Sequence, residues 1–339
     1  MNLRWKPWRS SASTDTLSIA SSPEALVWIH ADRQGRLRRC GVNQFKAEQA
    51  PEFARDVRNL ALPAQAVRAV LPLTEGQLLQ VEAPAVKPEE MKAAARWKIK
   101  DLVAGRVKDL TLDVMFVGPD EARPSRQIFV AAARNSSIRE LAERTHAVGL
   151  ELGVIELVET AQRNLHSAIA HAAGLGARAT AALLLHGHQC LLTVCAGGEL
   201  YYARRLEWDG GLVAPAPAPA QLPTEMALDN MDFVDYGAEP EAGASGAGEA
   251  PRLVVDLQRS FDVWERSWPD LPLAALWVQV GEGSEALAAL LQQALGQRVD
   301  VLEPERVFPG FNELATTPEL RAALLPVLGA VLRGNDRKL

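Results

Sequence analysis

Gly281-Glu282-Gly283-Ser284 is the tetrapeptide of this chain best placed to do chemistry. It follows Leu276-Trp277-Val278-Gln279-Val280, which reads as a buried strand, and precedes a helical pattern through Leu295 that Gly296 stops. Ser284 is expected to cap that helix. A glycine turn after a strand can accept a nucleotide by offering backbone N–H groups to its phosphates. Gly187, in the tight turn His186-Gly187-His188, is a second position of this kind. His186, His188 and Cys190 alternate, so on an extended strand they would share a face in the manner of a zinc trio. Gly187 breaks that geometry and no fourth ligand is near, so no metal is expected. His166 and His171 lie five apart on a helical stretch and do not share a face. No Ser or Cys sits in a nucleophile motif such as GxSxG, so no catalytic residue is expected.

The chain that must position these turns has 339 residues, enough for about two domains of ~150 residues each. No stretch approaches the ~18 uninterrupted apolar residues of a membrane helix, and no apolar h-region follows the charged N-terminus. A cytoplasmic protein without a transmembrane segment of its own is expected. Cys40, Cys190 and Cys195 are an odd set without CxxC spacing, which suits a reducing compartment. The formal net charge of −6 is concentrated: nine acids and no Lys or Arg lie between Arg205 and Arg252. The remainder is close to neutral, so no nucleic-acid partner is expected.

Residues 1–16 read as a polar tail. Within it Arg4, Trp5, Lys6, Trp8 and Arg9 mix cations with indoles, the chemistry of an interfacial anchor, whereas Pro7 disfavours a helix and favours a solvated tail. Short strands are predicted at 17–20, 25–30 and 36–42, the last two joined by the turn Asp32-Arg33-Gln34-Gly35. A short helix at 51–60 and strands at 67–71 and 77–81 follow. Pro88, with Glu89 and Glu90 behind it, opens a helix predicted to run to Val103 with Met91, Ala95, Ile99, Leu102 and Val103 inward. Strands at 111–117 and 127–133 precede a capping box, Ser137-Ile138-Arg139-Glu140, that should open the next helix. A strand at 154–158 and a long helix at 159–173 complete the first half.

The opening pattern then returns, with strands at 180–186, 189–195 and 199–206 joined by tight turns. The Pro/Ala/Gly-rich acidic stretch 210–250 has almost no hydrophobic period and reads as a disordered insert. After it Val254, Leu257, Phe261, Trp264 and Trp268 mark one face of a helix, followed by the strand, glycine turn and helix described above. A last helix spans 318–332. A strand meander followed by alternating helices and strands thus occurs twice. This element order is that of a duplicated α/β architecture like actin, in the wider ribonuclease-H-like class. The expected division is a first half at 17–174, completed by the C-terminal helix 318–333, and a second half at 175–311. A nuclease of this class would need acids on its strand ends, and 17–20 and 25–30 have no Asp.

Four segments, in order, resemble PilM-like pilus assembly proteins. Trp97-Lys98-Ile99-Lys100-Asp101-Leu102 with Asp113 in the next strand is similar to the family's helix-to-strand segment. Leu257-Gln258-Arg259-Ser260-Phe261-Asp262 resembles its "IQRSLD" stretch, Val280 to Ser284 its "SGGGS"-like turn, and Leu328 to Arg333 its "GLALR" end. Within the family the wording is most like the branch serving the mannose-sensitive haemagglutinin (MSHA) pilus. The resemblance covers most of the chain from Leu17 to Arg333. It implies an actin-like protein, peripheral at the cytoplasmic face of the inner membrane, which holds the cytoplasmic tail of a PilN-type single-span membrane protein and meets other proteins of the assembly platform. Some members bind ATP between their halves.

An actin-like ATP site needs a glycine hairpin for phosphate, an acidic Asp-x-Gly turn and a glycine-rich adenosine turn. The first is represented only by Asp32-Arg33-Gln34-Gly35, with one glycine. At the second, Leu185-His186-Gly187 keeps Gly187 but has leucine where a carboxylate should face Mg²⁺. Only Gly281, Gly283 and Ser284 survive in form. No cofactor is expected, and a degenerate, non-catalytic scaffold is the reading; the alternative is an ATP-binding, weakly hydrolysing relative. A metabolic kinase of the same fold is disfavoured by the missing acid. Trp97 lies off the core stripe of its helix, flanked by Lys98 and Lys100. It either contacts the partner tail or packs under a neighbouring strand layer.

Overall fold

The computed structural model describes residues 15–22, 25–44, 50–62, 66–103, 105–118, 127–213 and 251–334. Most of the tail 1–16 and most of the insert 210–250 lie outside the described residues. Thr16, assigned to the tail from sequence, opens the first strand.

The first central sheet contains β1 (Thr16–Ser21), β2 (Ala25–Ala31), β3 (Leu37–Gln44), β4 (Ala66–Leu71) and β8 (Glu151–Leu157), in the order β3-β2-β1-β4-β8. Three strands meander antiparallel, and β4 then pairs in parallel with β1 and β8 with β4. The second sheet repeats this arrangement with β9 (Ala179–His186), β10 (Gln189–Ala196), β11 (Glu199–Glu207), β12 (Leu273–Gln279) and β13 (Val299–Val301), in the order β11-β10-β9-β12-β13. Fourth and fifth strands are again parallel to the first. Such parallel neighbours require a crossover, and the helices provide it.

Between β4 and β8 the chain builds a smaller antiparallel sheet from β5 (Gly76–Glu82), β6 (Leu110–Phe116) and β7 (Gln127–Arg134), in the order β5-β7-β6. Helix α2 (Pro88–Lys98) buries Met91 and Ala95 on one face of this sheet, against Leu112, Ile128 and Val130. Because side chains alternate across a strand, Phe129 points the other way, into the core of the second half. Gly118 lies against the ring of Tyr201 at φ +71, a backbone conformation and a closeness that suit only glycine.

The first sheet carries α1 (Ala50–Asn59) and α3 (Asn135–Ala147) on its outer face, where Val57 and Leu141 join Leu17, Leu26 and Leu71. The second sheet carries α5 (Arg252–Ser267) and α6 (Ser284–Leu295) on its outer face. Val254, Leu257, Phe261 and Trp264, the stripe read from the sequence, are buried there. Between the two sheets run α4 (Val158–Ala172) and α8 (Pro318–Val331), with the short α7 (Phe311–Leu314) before the latter. Their packing merges Ile29 of β2, Leu165 of α4, Trp277 of β12 and Leu328 of α8 into one core. At the crossing of the two helices Gly329 lies directly on the main chain of Ala161.

Three local expectations are corrected. Helix α2 stops at Lys98 rather than Val103: Ile99 still bonds back to Ala95 O, but Leu102 then turns back onto Ile99 O. The helical phase is lost there, so Leu102 is 55% exposed instead of inward. Helix α3 begins at Asn135, two residues before the expected cap, and Arg134 is its cap residue with no side-chain bond. Ser137 therefore lies inside the first turn, where no capping box can close. Gly283, not Ser284, is the cap residue of α6.

Candidate functional site

The carboxyl ends of the parallel strands in both sheets converge on one end of the molecule. In the first sheet β1, β4 and β8 finish there, and Leu157 leads directly into α4. Helix α4 then runs antiparallel to β9. Its residue Gln162 meets Ala182 O, Thr193 Oγ1 and the ring of His186, while His166, one turn later, meets Thr180 at the start of β9. The α4 N-terminus therefore lies at the end where β9 turns into β10 and β12 turns into α6. Open α/β sheets bind ligands outside such strand ends.

Gly187 occupies the β9–β10 turn with φ +65, as the first central position of a two-residue hairpin turn requires. Gly281 has φ +84 and starts the β12–α6 turn, with Gly283 two residues on. Both turns lie at this strand end. At the β12–α6 turn the polar groups are already committed, however. Gly281 N–H donates to Gln279 Oε1 at 2.8 Å, and Val280 N–H donates to Ser284 Oγ at 2.9 Å. The Ser284 hydroxyl in turn reaches Gly281 O at 2.6 Å and Gln279 Oε1 at 2.8 Å. Ser284 is a staple inside the turn, and two N–H groups that could cradle a phosphate have partners within the protein.

The third candidate turn is overturned by topology. Thr16 pairs with Ala31, and Ser21 with Leu26, so successive hairpins of the meander open at opposite ends. The turn at the carboxyl ends is the one joining β1 to β2. Asp32-Arg33-Gln34-Gly35 joins β2 to β3 at the far end, away from Gly187 and Gly281.

At the end of β9 the two neighbouring side chains go to opposite layers. Leu185 packs towards the α5–α6 core, and His186 faces α4, its Nε2 2.8 Å from Gln162 Oε1. Neither position supplies a carboxylate. Burial pushes His186 down to about 4, and His166, enclosed between Thr180 and Thr193, down to about 3. Both imidazoles are neutral at pH 7. Cys190 and Cys195 are buried core thiols, each pushed up to about 12 by burial, and His188 is exposed on its turn. The alternation of His186, His188 and Cys190 is thus split among α4, solvent and core.

What sequence reading missed is a set of charges buried at this same end. Glu159, in the first turn of α4, accepts from Arg205 of β11 at 2.7 Å. Arg205 also donates to Leu73 O and Gly76 O, both at 2.6 Å, in the connection from β4 to β5. One guanidinium of the second half therefore holds two carbonyls of the first. Beside it Val70, Leu73, Val158, Ala161, Leu191 and Ala330 form an apolar cluster drawn from both halves. Its neighbour Arg204 points to the opposite face and binds Ser260 Oγ at 2.9 Å and Asp256 Oδ1 at 3.2 Å on α5. A second buried acid, Glu156 of β8, is paired with Arg333 just beyond α8. The signal present in the sequence was the pair Arg204-Arg205 inside an otherwise apolar strand, since opposite faces of a strand both had to be polar.

Trp97 stands apart from this end, on the last turn of α2. It is 76% exposed, so it does not pack under a strand layer. Lys98 lies 3.5 Å from Glu82, and Lys100 lies 4.0 Å from Asp101, both as surface pairs.

Among solved structures, a chain of the PilM-PilN type IV pilus biogenesis complex is similar, with TM-score 0.68 and 17% identity over 95% of this chain and 99% of that one. A protein of Bacteroides thetaiotaomicron with an actin-like ATPase fold matches with TM-score 0.47 and 10% identity, over 85% of this chain and 91% of that one. The cytoplasmic domain of EpsL, an inner membrane component of the type II secretion system of Vibrio cholerae, matches with TM-score 0.41 and 12% identity, over 57% and 71%. No protein-family model and no curated protein matches the chain. The repeated strand order and the first of these likenesses together make the fold a duplicated actin-like one, shared with the chain of the PilM-PilN complex.

Proposed function

We propose that this chain is a non-catalytic scaffold of the assembly platform for a type IV pilus, of the MSHA type, and that it holds the cytoplasmic tail of a PilN-type membrane protein. The observation that carries the reading is the likeness to a chain of the PilM-PilN complex over nearly the full length of both. No described helix is long and apolar enough to cross a membrane, which is consistent with a peripheral place at the inner membrane beside a spanning partner. The non-catalytic half of the reading is supported by Leu185 and His186 in place of an acid, by the self-bonded Ser284 turn, and by Arg205 occupying the junction of the halves.

Trp97 is the proposed anchor for the tail. An indole this exposed on the end of a helix offers apolar area without prior ordering, and Lys98 and Lys100 beside it suit an acidic or mixed peptide. The purified chain should capture candidate tail peptides in solution. Trp97→Ala should weaken that capture by more than about tenfold, equivalent to ~1.4 kcal/mol, with an unchanged melting temperature. Capture unaffected by the substitution would move the docking surface elsewhere. No capture of any tail would remove the scaffold reading.

A further inference from the structure

We propose that Arg205 is a releasable strap across the junction of the two halves: closed, it shuts the strand-end side, and undone, it lets that side part. Its guanidinium, carried by β11 of the second half, donates to Leu73 O and Gly76 O of the first half. It also grips Glu159 of α4, with Nε and Nη2 both on Oε1, at 3.1 and 2.7 Å. The Arg205 side chain is 30% exposed, so the strap lies at the edge of the solvent rather than deep in a core.

On this side the apolar contact of the second sheet with the first half is slight. Of the buried cluster beside the strap, Val70, Leu73, Val158, Ala161 and Ala330 come from the first half and the two central helices, and Leu191 alone from the second sheet. The opposite end of β11 is different. There Leu200 O accepts from Gly118 N–H at 3.3 Å, and Val117 and Phe129 share a core with Leu200 and Tyr201. Leu200 and Arg205 lie five residues apart, roughly 17 Å along a strand. One end of β11 is thus packed as a pivot, and the other is fastened by a single long side chain.

The closed strap also shuts in polar atoms that it does not satisfy. Glu159 Oε2, Glu75 Oε2 and His186 Nδ1 are buried, and none has a hydrogen-bond partner among the described residues. Gln162 fixes the state of the imidazole: its amide nitrogen donates to Ala182 O and Leu191 O, so its Oε1 faces the ring and His186 Nε2 carries the hydrogen. His186 Nδ1 is therefore a bare acceptor. The three atoms belong to the first turn of α4, the β4–β5 connection and the end of β9, all on the strand-end side. Burying an acceptor without a donor is unfavourable, and parting the halves here returns each of them to water. Arg205 holds the closed form against that gain. The inference does not depend on the proposed partner.

The test uses the full chain with nitroxide labels on Thr74→Cys and His188→Cys, exposed positions on either side of the junction, in a Cys40→Ser background. Double electron–electron resonance should give one narrow distance distribution while Arg205 is intact. Arg205→Lys keeps a charge opposite Glu159, and with it the fold, but a point donor cannot span three acceptors. Its distribution should lengthen and broaden, and that of Arg205→Gln should lengthen at least as much. Hydrogen exchange supplies a second readout. Amides of Leu73 to Gly76 and of the first turn of α4 should exchange about tenfold faster or more in Arg205→Lys, with Gly118 at the pivot unchanged. An unaltered distance in Arg205→Lys overturns the proposal. So does exchange that quickens equally at Gly118, which marks general loosening rather than a strap undone. Neither measurement reads capture of a tail peptide, so failure here leaves the scaffold reading intact.

Discussion

Arg205 Nη2 lies 2.7 Å from Glu159 Oε1, and the same guanidinium holds Leu73 O and Gly76 O. The acid side chain is 3% exposed. A buried ion pair of this kind gains little over apolar packing, but removing one partner strands the other. Arg205→Met should therefore lower the stability to urea by about 3–5 kcal/mol, since Glu159 and two carbonyls lose their donors. The double change Glu159→Leu/Arg205→Met should recover much of that loss. Single and double variants equally destabilised would mean that the backbone carbonyls, not the charge pair, dominate.

Gly329 tests the contact between the two central helices. A Cβ at this position would overlap the main chain of Ala161, which no rotamer change can relieve. Gly329→Ala should lower stability by about 1–3 kcal/mol or more through forced separation of the helices. Gly187→Ala is the contrast, because nothing lies within 4 Å of its added carbon and only the strain of φ +65 remains. It should lose about 1–2 kcal/mol. Thermal unfolding of the two variants should place Gly329→Ala at or below Gly187→Ala.

The buried imidazoles predict a pH dependence. His166 is held at about 3 and His186 at about 4, both below the unfolded value of ~6.5, because burial penalises the charged ring. The unfolded chain therefore binds more protons below that value. Stability is full above about pH 6.5 and is lost as pH falls towards 4 and then 3, by ~1.4 kcal/mol per pH unit for each histidine. In His166→Gln the slope between about pH 6.5 and 5 should be close to half that of wild type. An unchanged slope would show that His166 is not excluded from protons in the folded state.

Nucleotide is the remaining test of the strand-end turns. Millimolar Mg-ATP should leave the melting temperature unmoved, because a ligand that does not select the native state cannot stabilise it. A saturable rise abolished by Gly283→Trp would assign the site to ATP and replace the non-catalytic reading.

The elements themselves were legible because their periods are strong. The stripe from Val254 to Trp264, the meander turned at Gly187 and Gly197-Gly198, and the helix behind Pro318 all follow from local chemistry. Errors fell where a local signal met a tertiary alternative. Ser137 and Ser284 read as caps, yet the chain had already entered α3 at Asn135, and Ser284 found better partners in Val280 and Gln279. The adjacent pair Arg204-Arg205 signals that one arginine faces inward, but nothing local names its partner Glu159, 46 residues earlier in the chain. Likewise the end of the sheet at which a hairpin opens depends on strand pairing. That is why Asp32 to Gly35 could pass for a phosphate turn until the register of β1 and β2 placed it.

The wall between the halves has one more consequence. Helices α4 and α8 are shared by both sheets, bonded to each other at Asn164 Nδ2–Gly329 O, and α8 is fixed to β4 by Arg68 reaching Ala330 O. With Arg205 fastening the strand-end side, a pull applied to one half passes to the other through helices and strands rather than through a loop. Such a body acts as a strut, holding its two halves at a fixed separation while force is transmitted across it.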